Sequence, residues 1–448
     1  MGRRDFLAGT IGLTAALGVQ PAWMPRAPFL LRGRDDRMVR LGFVGVGGRG
    51  TNLLELVLRR TDTQVPAVCD IDPNALASAR TLVEGSRNVS PAEYGNGEQD
   101  YRNLVLRDDL DAVIIATPWL WHAPMAVAAM RAGKAVGVEV PAAVTVEDCW
   151  ELVRTSEATG RSCMMLENVC YRRDVMAVLQ MVREGLFGEL LHCHCGYQHD
   201  LRGIKFQPGV EFGPGADGEA RWRTFHSIRR NGDLYPTHGI GPVANYLDIN
   251  HGNRFLSLTS TATKSRGLHQ YIVKEAGDDH RHAGIDFKLG DIVTTVIKCA
   301  NGETVVVSHD TNLPRPYSLN FRVQGTKGLW MVDNRSIYLE GVTPEHDRWE
   351  PFEPYRERYD HPLWKRFSGD AEGAGHGGMD FFVVNAFVEA VKRGVPTPLD
   401  VYDAASWSVI SPLSERSVEQ GSAPMAFPDF TGGRWVTRRP VFGLDAEF

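Results

Sequence analysis

Val39-Arg-Leu-Gly-Phe-Val-Gly-Val-Gly-Gly-Arg-Gly-Thr51 is the stretch that decides the fold. Val39 to Val44 is a mainly apolar run with a β-branched residue at each end, short enough for one buried strand. It passes into Gly45-x-Gly47-x-x-Gly50 and then into Thr51-Asn-Leu-Leu-Glu-Leu-Val-Leu58, which reads as a helix. Glycine there allows a tight turn, close approach of backbone to a pyrophosphate, and close packing of helix on strand. The helix start offers free N–H groups and the positive end of its dipole to phosphates. A second strand, Gln64 to Cys69, ends at Asp70, twenty residues after Gly50. A carboxylate at that point meets the ribose hydroxyls of NAD and repels a 2′-phosphate. The order of elements predicts a dinucleotide site that favours NAD over NADP, with Asp72 as the alternative ribose partner.

The alternation continues down the chain. A helix-prone segment, Asn74 to Val83, precedes a third buried strand, Asp111 to Pro118. Trp119-Leu120-Trp121-His122 follows the carboxyl end of that strand, where ligands of open α/β sheets sit, so this turn is expected over the cofactor. His122 is read as a cofactor contact rather than only the start of the next helix, Pro124 to Ala132. Strands Ala135–Glu139 and Ser162–Glu167 flank a helix from Val146 to Thr159. This is α/β organisation: a doubly wound, parallel Rossmann domain over residues 33–167. Residues 168–448 read as an α+β domain with an open, predominantly antiparallel sheet, from runs at 190–195, 256–263, 292–299, 304–309, 318–323 and 329–332. Long loops carry Tyr197 to Arg202, Trp222-Arg223 and Leu234 to His238, and their aromatic and titratable content argues for function rather than disorder. Two closing helices, Asp380–Arg393 and Val401–Glu419, are expected to pack back on the first domain.

Composition narrows the classes. The 448 residues are 43% hydrophobic and 23% charged with net charge −6, and no basic block points to nucleic acid. Residues 1–32 read as an export signal and linker: Arg3-Arg4-Asp5-Phe6-Leu7 before the uncharged run Ala8 to Val19 resembles a twin-arginine signal. That run is too short to span a bilayer comfortably. The expectation is export after folding to a periplasmic or extracellular site, without stable membrane insertion. Seven cysteines lack the spacing of a disulfide framework and read as buried thiols. His192-Cys-His-Cys195 looks like a metal cluster, but strand alternation puts the two histidines and the two cysteines on opposite faces, so no metal is assigned.

The glycine-rich Rossmann domain, the strand ending in Glu139-Val140-Pro141 and the sheet domain after it together resemble the Gfo/Idh/MocA oxidoreductase superfamily, over essentially everything after residues 1–32. Within it, Glu167 to Asp174, Gly196 to Arg202, Leu234-Tyr-Pro-Thr-His-Gly239 and Gly373-Ala-Gly-His-Gly-Gly-Met-Asp380 resemble glycoside hydrolase family 109. The resemblance implies an α-N-acetylgalactosaminidase that uses NAD for oxidation, elimination, addition and reduction, and ends with the cofactor regenerated. Superfamily dehydrogenases generally have lysine in the middle of Glu-x-Pro; Val140 cannot transfer a proton, which favours the glycosidase branch. Ordinary glycosidases use two carboxylates astride the bond, and no such pair stands out in these loops. Carried over by residue, the resemblance places Gly45, Gly47, Gly48, Arg49, Gly50, Asp70, Trp119, Leu120, Trp121, His122, Glu139, Val140 and Asn168 around NAD. It places Tyr197, Arg223, Tyr235, Pro236, Thr237, His238 and Tyr317 around the sugar. His238 and Tyr197 are assigned to proton transfer near the nicotinamide, and His376 to the glycosidic oxygen, because flanking glycines let its loop close over a sugar. His199 and Asp200 are read as shaping the loop. The competing readings are an NAD-dependent sugar oxidoreductase and an exported, NAD-containing sugar-binding protein without turnover. The partner is a small carbohydrate or glycan terminus, and the open sheet suits a homo-oligomer.

Overall fold

The computed structural model describes residues 37–87 and 89–448; the export-signal reading of residues 1–32 lies outside them. Six parallel strands form the first sheet: β1 (Val39–Val44), β2 (Thr63–Cys69), β3 (Ala92–Tyr94), β4 (Ala112–Ile115), β5 (Ala135–Val138) and β6 (Cys163–Met165). Their order is β3-β2-β1-β4-β5-β6, so the direction of winding reverses between β1 and β4. A crevice opens at the carboxyl ends of the strands at such a reversal. Helices cover both faces, which is why β1 and β4 are buried almost throughout instead of alternating.

The helix Gly48–Arg59 presses Leu53, Leu54 and Val57 onto this sheet. Its close approach depends on Gly50, where an added Cβ would lie 1.9 Å from the Gly45 carbonyl oxygen. Gly45 itself sits at φ +84°, which a side chain would strain. The helix Val146–Thr159 has the predicted bounds because both ends are specified: the Thr145 hydroxyl caps Asp148 N–H and Gly160 turns left-handed at φ +66°.

The second sheet has nine strands: β7 (Leu190–Gln198), β8 (Phe255–Ala262), β9 (Ile292–Cys299), β10 (Thr304–Asp310), β11 (Arg322–Gly325), β12 (Gly328–Met331), β13 (Ser336–Leu339), β14 (Glu350–Pro351) and β15 (Met425–Ala426). The order is β14-β13-β12-β11-β7-β10-β9-β8-β15. All neighbours are antiparallel except β7 and β10, which run parallel with His309 opposite Tyr197. Strand β9 shows the one-sided burial of an open sheet: Val293, Thr295, Ile297 and Cys299 are inside, while Thr294, Val296 and Lys298 face out. In β7 Cys193 and Cys195 are buried and His192 and His194 lie on the other face.

Several sequence expectations are corrected. Residues 119–122 are the first turn of the helix Trp119–Arg131, not a loop before Pro124. His122 in that turn lies within hydrogen-bonding distance of the Thr117 carbonyl just before it and the Pro141 carbonyl after β5. The loops after β7 contain the helices Arg223–Arg229 and Thr237–Tyr246, so His238 stands on a helix. The run expected at 318–323 becomes a strand only at Arg322. Val401–Glu419 divides into Val401–Ser408 and Ile410–Glu419, since Pro412 has no N–H to give the Ser408 carbonyl. These helices return to the first sheet's side: Met379–Arg393 packs on Gly48–Arg59, and Val401–Ser408 on Val146–Thr159 and β6.

Candidate active site

At the carboxyl end of β1, Gly47 begins the helix without any side-chain cap, so its first N–H groups are left for a ligand. A Cβ at Gly45 or Gly50 would strike backbone, whereas one at Gly47 or Gly48 would project into open space. The turn is packed on one side and leaves room for close approach on the other. Asp70 fixes it by accepting Val46 N–H at 2.8 Å, and accepts Asp72 N–H at 2.9 Å with its other oxygen. Asp72 is paired with Arg221 at 3.0 Å. Asn168 Oδ1, Glu167 Oε2 and Thr237 Oγ1 are buried without partners. Leaving such groups unsatisfied costs about 1–3 kcal/mol each, so a bound ligand or ordered water is expected there. The turn, the acid and the orphaned polar atoms fit NAD.

An aromatic cage adjoins this crevice. The Arg223 guanidinium lies 4.7 Å from the Trp119 ring centre, 5.1 Å from Tyr235 and 5.2 Å from Trp222. Burial alone would lower the Arg223 pKa; Glu219, together with Tyr235 and Tyr197, more than offsets it, and the charge is kept. Tyr235 stacks on Trp119 with ring centres 5.3 Å apart. Tyr197 meets Tyr235 edge-on at 4.7 Å and lies 5.5 Å from the His238 ring. The Tyr197 hydroxyl is hydrogen-bonded to His199 Nδ1 at 3.1 Å. Burial pushes Tyr197 up to about 12, with Arg223 acting in the opposite direction. Tyr317 closes this side with its ring 4.9 Å from His199.

Two histidines are each tied to a buried carboxylate. His238 Nδ1 lies 2.6 Å from Glu167 Oε1, so donation there leaves Nε2 as the nitrogen that exchanges protons. His376 Nδ1 lies 2.7 Å from Asp380 Oδ2. Asp380 also accepts from Arg49 at 2.7 and 3.0 Å and from Asn168 at 2.7 Å, and Arg49 reaches Glu139 at 2.6 Å. The Asp380 hydrogen bond raises His376 above its ordinary pKa, against the lowering effect of burial. Burial would raise Asp380, but hydrogen bonds from His376 and Arg49 hold it far below the usual carboxylate range.

Residues 171–437 match the model of the glycosyl hydrolase 109 C-terminal domain, and residues 39–167 match the oxidoreductase family, NAD-binding Rossmann fold. A Stenotrophomonas maltophilia "glycosyl hydrolase family 109 protein" is 52% identical, covering 100% of this chain and 99% of its own. The chain belongs to glycosyl hydrolase family 109. An "alpha-N-acetylgalactosaminidase" of Tannerella forsythia is 54% identical over 92% of this chain and 90% of its own. Among solved structures, levoglucosan dehydrogenase in complex with NADH and levoglucosan has a TM-score of 0.65 at 21% identity, over 88% of this chain and 100% of that one. That likeness concerns the fold. The protein is a glycoside hydrolase, and its cofactor is NAD.

In this family member the sequence-derived site residues do not all face one point. Trp119 to His122 are successive helical residues, so they point in four directions. Trp119 joins the cage, Trp121 packs on Tyr101, and Leu120 is exposed beside Val144 and Arg230. His122 corrects an expectation: it is buried with its nitrogens 2.7 and 2.6 Å from the Pro141 and Thr117 carbonyls, which leaves neither for NAD. It ties the loop after β4 to the turn after β5. Arg49 directs its guanidinium at Glu139 and Asp380. Pro236 accepts Gly239 and Ile240 N–H with its carbonyl and opens the His238 helix, and Val140 is buried. Sequence reasoning does not single out Glu167, His199 or Asp380 as functional residues. Each has a signal: the carboxyl end of a strand, the i+2 position from Tyr197, and the i+4 position from His376. His251, Asp400 and Asp403 have metal-ligand spacing, but Arg438 already supplies the cation at Asp400 and His251.

Proposed function

We propose that the protein releases terminal α-linked N-acetylgalactosamine by a cycle in which the sugar is oxidised, loses its aglycone by elimination, takes up water and is reduced again. The observation that carries this reading is the fate of the acids. Glu139 and Asp380 share Arg49, and Glu167 holds His238. All three are committed to hydrogen bonds with cations or imidazoles, which does not suit a nucleophile and a free acid astride a glycosidic bond. Two of these carboxylates instead hold an imidazole, His238 on Glu167 and His376 on Asp380, which supports proton transfer by histidine.

NAD, when bound, supplies a hydride acceptor that later returns the same electron pair to the sugar carbon. The chain's own groups manage protons. His238, oriented by Glu167, takes the hydroxyl proton at C3 on Nε2 and releases it to water; as the free base again it takes the C2 proton once a C3 ketone has made it acidic, and returns a proton to C2 when water adds. Tyr197, assigned to proton transfer from the sequence, instead keeps its proton at neutral pH because burial raises its pKa, and donates a hydrogen bond towards the sugar oxygen. Arg223, held charged in its cage, binds an oxygen of the ring substituents. His376 gives its proton to the departing glycosidic oxygen and regains one when water adds. Val140, an apolar residue at the centre of Glu-x-Pro, adds no competing base. The specificity rests on the Tannerella forsythia relative, whose name carries that activity. The twin-arginine pattern at Arg3-Arg4 supports export after folding, which would let NAD be acquired before translocation.

The test is catalytic release of N-acetylgalactosamine from an aryl α-glycoside while absorbance of reduced nicotinamide stays flat through many turnovers. NADH accumulating in step with product would replace this reading with a sugar oxidoreductase. Stoichiometric binding without release would replace it with a sugar-binding protein.

A further inference from the structure

The loop around His376 is built in an unusual way. His376 is itself at φ +42°, a left-handed conformation that a side chain adopts at a cost, between Gly375 at φ +81° and Gly377 and Gly378 at φ +67° and φ +94°. Something must hold the imidazole in place, and the groups that do so are explicit. Asp380 is fully buried in the first turn of the helix Met379–Arg393. One of its oxygens takes His376 and Arg49; the other takes Arg49 and Asn168. An added Cβ at Gly375 would approach Asp380 Oδ2 to 2.7 Å, so glycine is required for this loop to lie against the carboxylate. Arg49 belongs to the phosphate-binding turn, and its other carboxylate, Glu139, closes β5. A single buried carboxylate therefore links the loop imidazole to the cofactor-binding turn.

We propose that Asp380 is the positioning residue of this enzyme's acid, fixing His376 with Nδ1 protonated and Nε2 directed to the leaving oxygen, and keeping it in register with the NAD site through Arg49. This rests on the reading of His376 as the acid. Nδ1 donates to the carboxylate, so the proton delivered to the leaving oxygen comes from Nε2; the C1–O electron pair takes that proton, and water restores it later. The charged groups facing His376 are Asp380, Arg49 and Glu139. The two carboxylates favour the imidazolium and Arg49 opposes it, with Asp380 in direct contact. An acid aimed at the leaving oxygen matters most where the aglycone leaves poorly, because a nitrophenolate departs with little protonation.

The test combines kinetics with a spectroscopic signature. Wild type, Asp380→Asn and His376→Gln are compared on a nitrophenyl α-N-acetylgalactosaminide and on the corresponding alkyl glycoside. Asp380→Asn is expected to lower kcat on the alkyl glycoside by about 100-fold and on the nitrophenyl glycoside by less than about 3-fold. In 15N-histidine NMR, the resonance absent from His376→Gln should titrate at lower pH in Asp380→Asn than in wild type. Equal losses on both substrates, or an unmoved His376 titration, would overturn the role of Asp380. If His376→Gln itself loses equally on both substrates, the acid reading fails first, which separates the two failures. Should Asp380→Asn not fold, the wild-type spectrum decides. A downfield, exchange-protected Nδ1 proton assigned by its loss in His376→Gln supports the proposal, and its absence contradicts it.

Discussion

His238 and His376 make the same pair, an imidazole Nδ1 on a buried carboxylate, in two different settings. The His238 side chain is 16% exposed on a helix, and Glu167 is anchored at the end of the Rossmann sheet, where it also caps Val169 N–H. The His376 side chain is 54% exposed on a loop with glycine on either side. The contrast suits the proposed chemistry. A base working at the sugar carbon that faces a nicotinamide needs fixed geometry, since errors of an ångström are costly. In the proposed cycle the acid at the aglycone oxygen would stand where a glycan enters and leaves, a place that suits a glycine-flanked loop at the surface. The shared carboxylate device provides a defined tautomer in both.

Substitutions at the two pairs separate these proposed roles. Removing the fixed imidazole should hurt most: His238→Ala is expected to lower kcat by about 1,000-fold on every substrate, with NAD still present in the purified protein. Aglycone-dependent losses would break the comparison by giving His238 the role of His376. Replacing its carboxylate, Glu167→Gln, should cost on the order of 100-fold in kcat by releasing the tautomer, with KM changing far less. In the loop pair, Gly375→Ala meets both strain and Asp380 and is expected to destabilise by about 2–3 kcal/mol, while Gly377→Ala meets open space and should cost about 1 kcal/mol. Denaturant unfolding measures both, and equal effects would show that the loop does not rest on Asp380.

The smallest effect concerns pH. Asp380 is depressed despite burial, so its contribution to stability is complete above the ordinary carboxylate pKa of about 4 and fades as pH falls. His376 is raised by Asp380, so its contribution is complete below about pH 6.5 and is lost as pH rises through the folded value. The Tm difference between wild type and His376→Gln should therefore narrow on moving from pH 6 towards alkaline pH. A difference that widens would contradict the sign of the linkage.

What the sequence revealed follows the range of its interactions. The glycine turn, the β1 run and the capped helix at Val146 are local, with each residue's need visible in its neighbours, and the structure keeps them. The strand alternation at His192 to Cys195 is likewise local. The expectation for His122 failed because its two carbonyl partners come from separate loops, 117 and 141, that only the fold brings together. Asp380 and Glu167 were hidden because their value lies in contacts such as Arg49 to Asp380, 331 residues apart. The helix break at Val409 had a signal in Pro412, outweighed by the apolar periodicity on either side.

In the proposed cycle the glycosidic bond breaks by elimination after oxidation, with the C2 proton removed. Turnover of an aryl α-N-acetylgalactosaminide in deuterated water, followed by NMR of the released sugar, tests it most directly. Deuterium at C2 is the predicted result. Release with C2 still carrying hydrogen would mean direct hydrolysis, and His238 would then be no base at that carbon, nor Glu167 the carboxylate that orients one.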